Sequence, residues 1–129
     1  MTNQDTNFGA LLRRERQAKK LGLREMAKKI GVSATYLSKV ERLESPPPTE
    51  EKVRAISQII GYDPDLLLAM AGRIPSDVSN IIKRKPIQMA GLLRTTGDLG
   101  DDEIARLVET AKNEKMKEPP NGFAPKTER

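Results

Sequence analysis

The sequence predicts an all-α chain, and three observations carry that expectation. Aromatic residues are scarce: only Phe8, Tyr36, Tyr62 and Phe123 occur in 129 residues. That supply suits small helices packed by Leu, Ile, Val, Ala and Met better than a β-sandwich core. Apolar residues recur at helical spacing, with no alternating strand pattern and no internal repeat. Short periodic runs are closed by glycine, which commonly sits just past a helix end.

Residues 1–7 are polar and patternless and read as a flexible arm. A first amphipathic helix runs from Phe8 to about Lys20, its stripe set by Phe8, Leu11, Leu12 and Leu21. Leu23 to Ile30 forms the second, with Leu23, Met26, Ala27 and Ile30 facing inward and Gly31 ending it. Ser33 is the expected N-cap of a third helix through about Glu41, which buries Leu37, Val40 and part of Tyr36. After the loop ESPPPT, a fourth helix opens at Thr49, carries Val53, Ile56, Ile59 and Ile60, and closes at Gly61. Asp63 caps a fifth with Pro64 at its first position, and that helix stops at Gly72. Pro75, Ser76 and Asp77 start a sixth through Val78, Ile81 and Ile82, and Pro86 breaks it and starts a seventh. The eighth has Asp101 as its cap and Ile104, Leu107, Val108 and Ala111 inward. The tail EPPNGFAPKTER reads as disordered.

Composition excludes several function classes. With no cysteine and no histidine, disulfides, thiolate nucleophiles, imidazole bases and the usual zinc ligands are absent. No isolated carboxylate pair suggests a hydrolase, so no enzyme and no cofactor is expected. The acidic run Asp98, Asp101, Asp102 and Glu103 is explained by helix capping and the helix dipole without a metal. No apolar run approaches the roughly 20 residues of a bilayer span, and the N-terminus lacks the regions of a signal peptide. The expectation is a soluble, cytoplasmic protein with no membrane or metal partner.

Charge is unevenly distributed. Residues 8–42 hold ten Lys or Arg against three acids, residues 43–73 three against five, and residues 74–129 ten against nine. The surplus therefore lies in the first third, as expected for a protein that meets a polyanion such as nucleic acid. There sits MAKKIGVSATYLSKVER, residues 26–42, two short helical patterns around one glycine. A tight glycine turn between short helices is the signature of a helix-turn-helix. Ala27 is small where the helices pass closest, and Gly31 accommodates a left-handed turn. Met26, Ile30, Val32, Leu37 and Val40 lock the pair to the core, which leaves Ser33, Ala34, Thr35, Ser38, Lys39 and Arg42 facing out. Such side chains fit a DNA major groove.

On these residues the chain resembles the XRE family, the helix-turn-helix of phage repressors and Cro proteins. The resemblance covers residues 8–72 and rests on LREMAKKIGVSATYLSKVER, a proline-bearing loop, EEKVRAISQIIG and DPDLLLAMAG. It implies a five-helix repressor-like DNA-binding bundle with a C-terminal helical extension, the third helix entering the major groove. It further implies base contacts from Ser33, Ala34, Thr35 and Ser38, and phosphate contacts from Lys39 and Arg42. Lys28 and Lys29, beside the turn, are placed for the flanking backbone, and Arg24 for the phosphate that a family glutamine at position 23 would hold. Tyr36 either bonds a phosphate or packs half-buried. The basic cluster Arg13, Arg14, Arg16, Lys19 and Lys20 is divided between a solvated helix face and one or two DNA contacts. Two departures stand out: Gly22 and Leu23 replace the family's capping hydroxyl and glutamine, and Leu43 replaces a common glycine. The helix exit at Leu43 is accordingly expected to differ.

The organisation expected is an arm at 1–7, a helix-turn-helix domain at 8–73, a helical dimerisation element at 74–116 and a tail at 117–129. Apolar Val78, Ile81, Ile82, Leu92, Leu93, Ile104, Leu107 and Val108 supply the expected contact between copies. A two-fold dimer engages half-sites about one helical turn apart, roughly 34 Å. The alternative is that these helices pack back on the domain and leave a monomer. The function expected is a sequence-specific regulator of transcription: a repressor acting as a homodimer on a palindromic operator. The alternative is an antitoxin-type protein that binds a partner toxin through its C-terminal helices and autoregulates its operon. The resemblance also implies a phage or mobile-element setting. There, an antagonist protein or protease would be the external inducer, since the chain is too short for a self-cleaving domain.

Overall fold

A computed structural model describes residues 7–117, and among these every regular element is an α-helix. In chain order they are α1 (Phe8–Ala18), α2 (Leu23–Ile30), α3 (Ala34–Glu41), α4 (Glu50–Ile60), α5 (Pro64–Met70), α6 (Ser76–Arg84), α7 (Pro86–Thr96) and α8 (Asp101–Lys117). The arm and tail expected at 1–7 and 117–129 lie outside the described residues except at Asn7 and Lys117, and Lys117 is the last residue of α8. The chain divides into two units, one through Lys83 and one from Arg84.

In the first unit the apolar stripes read from the sequence meet. Leu12, Met26, Leu37, Val53, Ile56, Leu67 and Leu68 are completely buried, with Phe8, Leu11, Ala27, Ile30, Val40 and Ile60 around them. Leu23, Val32, Tyr36 and Ile59 pack half-buried on this core. The helix starts follow the sequence signals. The Asn7 and Ser33 side chains accept from the amides of Ala10 and Tyr36 at 2.7 and 3.0 Å, and Asp63 accepts from Asp65 and Leu66.

The exits share one geometry. After each of α1 to α5 one residue has positive φ, and the amide that follows it reaches back to a carbonyl in the last turn of the helix. Gly31 does this after α2 at φ 79°, and Gly61 and Gly72 after α4 and α5. Lys20 (φ 60°) and Leu43 (φ 63°) do it without being glycine. Leu43 thus corrects an expectation: α3 leaves as the other helices do, with the Glu44 amide on the Lys39 carbonyl at 2.7 Å. The Leu43 side chain is exposed, so only the local backbone is strained. Gly22, by contrast, takes an ordinary extended conformation as the N-cap of α2, with no side-chain cap bond. Leu21, read as part of the first stripe, lies in the turn after α1.

The segment after α5 is held to the start of α4. Arg73 donates to the carbonyls of Pro47 and Pro48, and the Ser76 amide donates to Glu50 at 3.1 Å. Arg54, one turn along α4, also donates to Glu50 at 2.9 Å.

The second unit holds α7 and α8. Asp101 is the first residue of α8 rather than its cap. Gly100 fills that position: its carbonyl accepts from Ile104, and its amide donates to Glu103 at 2.8 Å. Ile104, Leu107, Val108 and Ala111 face α7 but are not buried as expected; they line an open groove. No residue of α6, α7 or α8 is buried.

Candidate nucleic-acid interface

α2 and α3 are joined by Gly31, Val32 and Ser33 alone. A left-handed Gly31 turns the chain sharply, and the Ser33 hydroxyl starts the next helix at once. Val32, Leu37 and Val40 draw α3 onto the core, so its opposite face stays outward. Ser33 and Thr35 are exposed there, and Ser38 is half-exposed. Ala34 is half-buried against the core, and its methyl presents only a small surface at the start of the helix.

Two of these side chains already have internal partners. Ser33 caps α3, and Ser38 Oγ accepts from Arg42 Nη1 at 2.9 Å. The other end of the Arg42 guanidinium reaches Glu44 at 3.1 Å. The Tyr36 hydroxyl donates to the Pro46 carbonyl at 3.2 Å while its ring packs on the core. The Thr35 hydroxyl has no hydrogen-bond partner among the described residues and keeps both a donor and an acceptor free at the surface.

Positive charge flanks this face. Arg24, Lys28, Lys29 and Lys39 are exposed or half-exposed, and none forms an ion pair among the described residues. Lys52, which the sequence did not single out, has its ammonium beside Gly31. It lies at the C-terminal end of α2, where the helix dipole favours a cation. The turn thus presents an outward hydroxyl face with cations on either side.

The basic cluster of α1 splits in a way the sequence did not show. Arg13 is exposed and lines a cleft of about 140 Å³ with Ser38 and Arg42. Arg16 is buried. Its Nε and Nη2 donate to the two Glu41 carboxylate oxygens at 2.7 and 3.0 Å, and Nη1 donates to the Leu21 carbonyl at 2.8 Å. The hydrogen bond to Glu41 raises the Arg16 pKa against the opposing effect of burial. Gly9 adds a second tie between the same helices: a Cβ there would lie 2.6 and 2.7 Å from the carbonyl oxygens of Val40 and Glu41. α1 therefore clamps the C-terminal end of α3 by backbone approach and by a two-toothed ion pair. The sequence held one signal for Arg16, its place in the series Phe8, Leu12, Arg16 along the apolar stripe.

Among the described residues no cluster of three or more acidic side chains is placed to hold a metal, and no helix is long and apolar enough to cross a membrane.

Residues 7–70 match the family model of a helix-turn-helix domain. Two solved structures are similar over most of the chain. One is the clp gene regulator ClgR from Corynebacterium glutamicum, at 25% identity and TM-score 0.44, covering 74% of this chain and 95% of that one. The other is a chain of the SinR protein/SinI protein complex, at 20% identity and TM-score 0.44, covering 85% and 99%. No curated protein matches.

Proposed function

We propose, from the premise that residues 7–70 make this chain a member of the XRE-type helix-turn-helix family, that it is a repressor reading a palindromic operator as a homodimer. In this proposal α1 to α5, residues 8–73, act as a repressor-like DNA-binding bundle. α3 lies in the major groove with Ser33, Ala34, Thr35 and Ser38 towards base edges. Arg24, Lys28, Lys29, Tyr36, Lys39 and Arg42 hold the flanking phosphates, which set register without carrying sequence. Residues 74–116 supply the contact between copies through Val78, Ile81, Ile82, Leu92, Leu93, Ile104, Leu107 and Val108.

One observation carries the DNA-reading assignment. The outward face of α3 combines exposed Ser33 and Thr35 with half-exposed Ser38, between cations that no described acid pairs. Small polar groups allow close approach to base edges, and unpaired cations release counterions on meeting phosphates. Arg42 is the exception among the cations, since Glu44 holds it in the free protein.

The test is binding of the full chain to the duplex upstream of its own gene, against scrambled DNA, over a salt series. The proposal expects a specific Kd of roughly 10⁻⁸–10⁻¹¹ M, about a thousandfold or more tighter than on scrambled DNA. Equal affinity for both duplexes, and for a randomised pool, would sink it.

A further inference from the structure

The second unit cannot stand as an isolated hairpin. α7 has 11 residues and α8 has 17, and neither buries a side chain. Isolated helices of about 12–15 residues are marginal in water, and packing of an apolar face is what ordinarily offsets the cost of ordering them. Here the face exists but is open. A groove of about 440 Å³ between the two helices is lined mainly by Leu92, Leu93, Ile104, Leu107 and Val108.

The charges of α8 indicate what covers it. Residues 101–109 carry four acids and one base, and residues 110–117 carry three bases and one acid. The apolar stripe runs through the middle, and one turn beyond Ala111 it reaches Lys115. A partner of single charge sign would be repelled at one end of this face. In a two-fold contact the same patch must complement itself, and this patch does so in one direction only. Parallel helices would set acid on acid and base on base.

We propose that the face is covered by a second copy of the chain, with α8 packed antiparallel on the α8 of the other copy. The two-fold axis passes near Leu107 and Val108, so Asp101 and Glu103 of each copy lie along Lys112 and Lys115 of the other. This pairing rests on the dimer proposed above and adds its helix and its direction.

Sedimentation equilibrium of the full chain without DNA tests the pairing. Three variants are compared with the wild type: Asp101→Lys with Glu103→Lys, Lys112→Glu with Lys115→Glu, and all four together. Circular dichroism checks that helicity is kept. The wild type is expected to dimerise at micromolar concentration. Each double variant replaces attraction by repulsion at both ends and should weaken the dimer about tenfold, the combined effect of several modest exposed ion pairs. High salt should shrink the difference. The fourfold variant carries the same helix-end substitutions yet restores complementarity, so it should return close to the wild-type constant. A wild-type dimer indifferent to both double variants, or a fourfold variant that fails to recover, overturns the antiparallel pairing and leaves the dimer standing. A wild type that stays monomeric at high micromolar concentration overturns both.

Discussion

The unit through Lys83 and the unit from Arg84 carry apolar stripes of similar kind, yet they treat them in opposite ways. In the first, α1 to α5 close on one core, and side chains such as Leu12, Met26 and Leu67 are fully shielded from water. In the second, Leu92, Leu93, Leu107 and Val108 keep about half of their exposure. Helical periodicity shows that a helix has an apolar face. It does not show what covers that face, because this depends on how many other faces are within reach. Five helices enclose a core, whereas two leave a groove.

The sharpest way to break the contrast is to remove a partner inside the first unit. Glu41→Ala leaves the Arg16 guanidinium buried with only the Leu21 carbonyl. Removing one member of a buried pair costs about 3–5 kcal/mol, read by urea unfolding of the full chain. A loss below about 1 kcal/mol would put the pair with ordinary surface pairs and remove the clamp on α3.

The same truncation made in both units measures the contrast directly. Leu67→Ala, at a completely buried position, is expected to lower stability by about 2–5 kcal/mol at any protein concentration. Leu107→Ala, at a half-exposed one, should act through association, so its effect on stability shrinks as the protein is diluted below the dissociation constant. Equal, concentration-independent losses would mean that α8 belongs to a closed core.

Within the first unit, the helix exits allow a gain. Leu43→Gly removes a left-handed leucine at φ 63°, a conformation that costs roughly 1–2 kcal/mol. Part of this is offset by the freer unfolded chain, so a rise of about 0.5–1 kcal/mol is expected in the same unfolding assay. Leu43→Val should instead lower stability, since branching at Cβ disfavours positive φ.

The smallest effect concerns acid. The hydrogen bond from Arg54, helped by those from Ser76, holds the Glu50 carboxyl below its ordinary value near 4.5. A lowered folded-state pKa contributes stability above the unfolded value, and that stability disappears as the pH falls through the folded one. Glu50→Gln should flatten that part of the acid limb, with little change at neutral pH. An unchanged acid limb would show that the contact between α4 and the segment after α5 is electrostatically idle.

Much of the geometry of the α2–α3 turn was legible in sequence because its signals are local. Gly31 and Ser33 announce an exit and a cap by chemistry confined to one turn of chain, and the structure places α2 and α3 where they point. The Arg16–Glu41 clamp was hidden because its members are 25 residues apart, on different helices. Arginine in a basic helix resembles every exposed arginine until its partner is known. Lys20 and Leu43 were hidden for another reason. A left-handed exit is readable when glycine fills it, and invisible when the surrounding helix imposes it on a side chain that tolerates the strain. The nearest glycine, Gly22, starts α2 in an extended conformation, so the exit from α1 falls to Lys20. Lys52 was missed because its ammonium reaches the turn from α4, a neighbour that only the packing reveals.

At the centre stands the proposal that the outward face of α3 reads bases while the core beneath it merely holds it there. The double variant Thr35→Ala with Ser38→Ala tests this most directly, in titrations against the specific duplex and against scrambled DNA. Affinity for the specific duplex should fall by about 1–3 kcal/mol for each hydrogen bond to a base edge that the variant removes, with scrambled binding, helicity and melting temperature unchanged. Unchanged specific affinity in a fully folded variant would contradict the proposal and place the reading surface elsewhere on the domain.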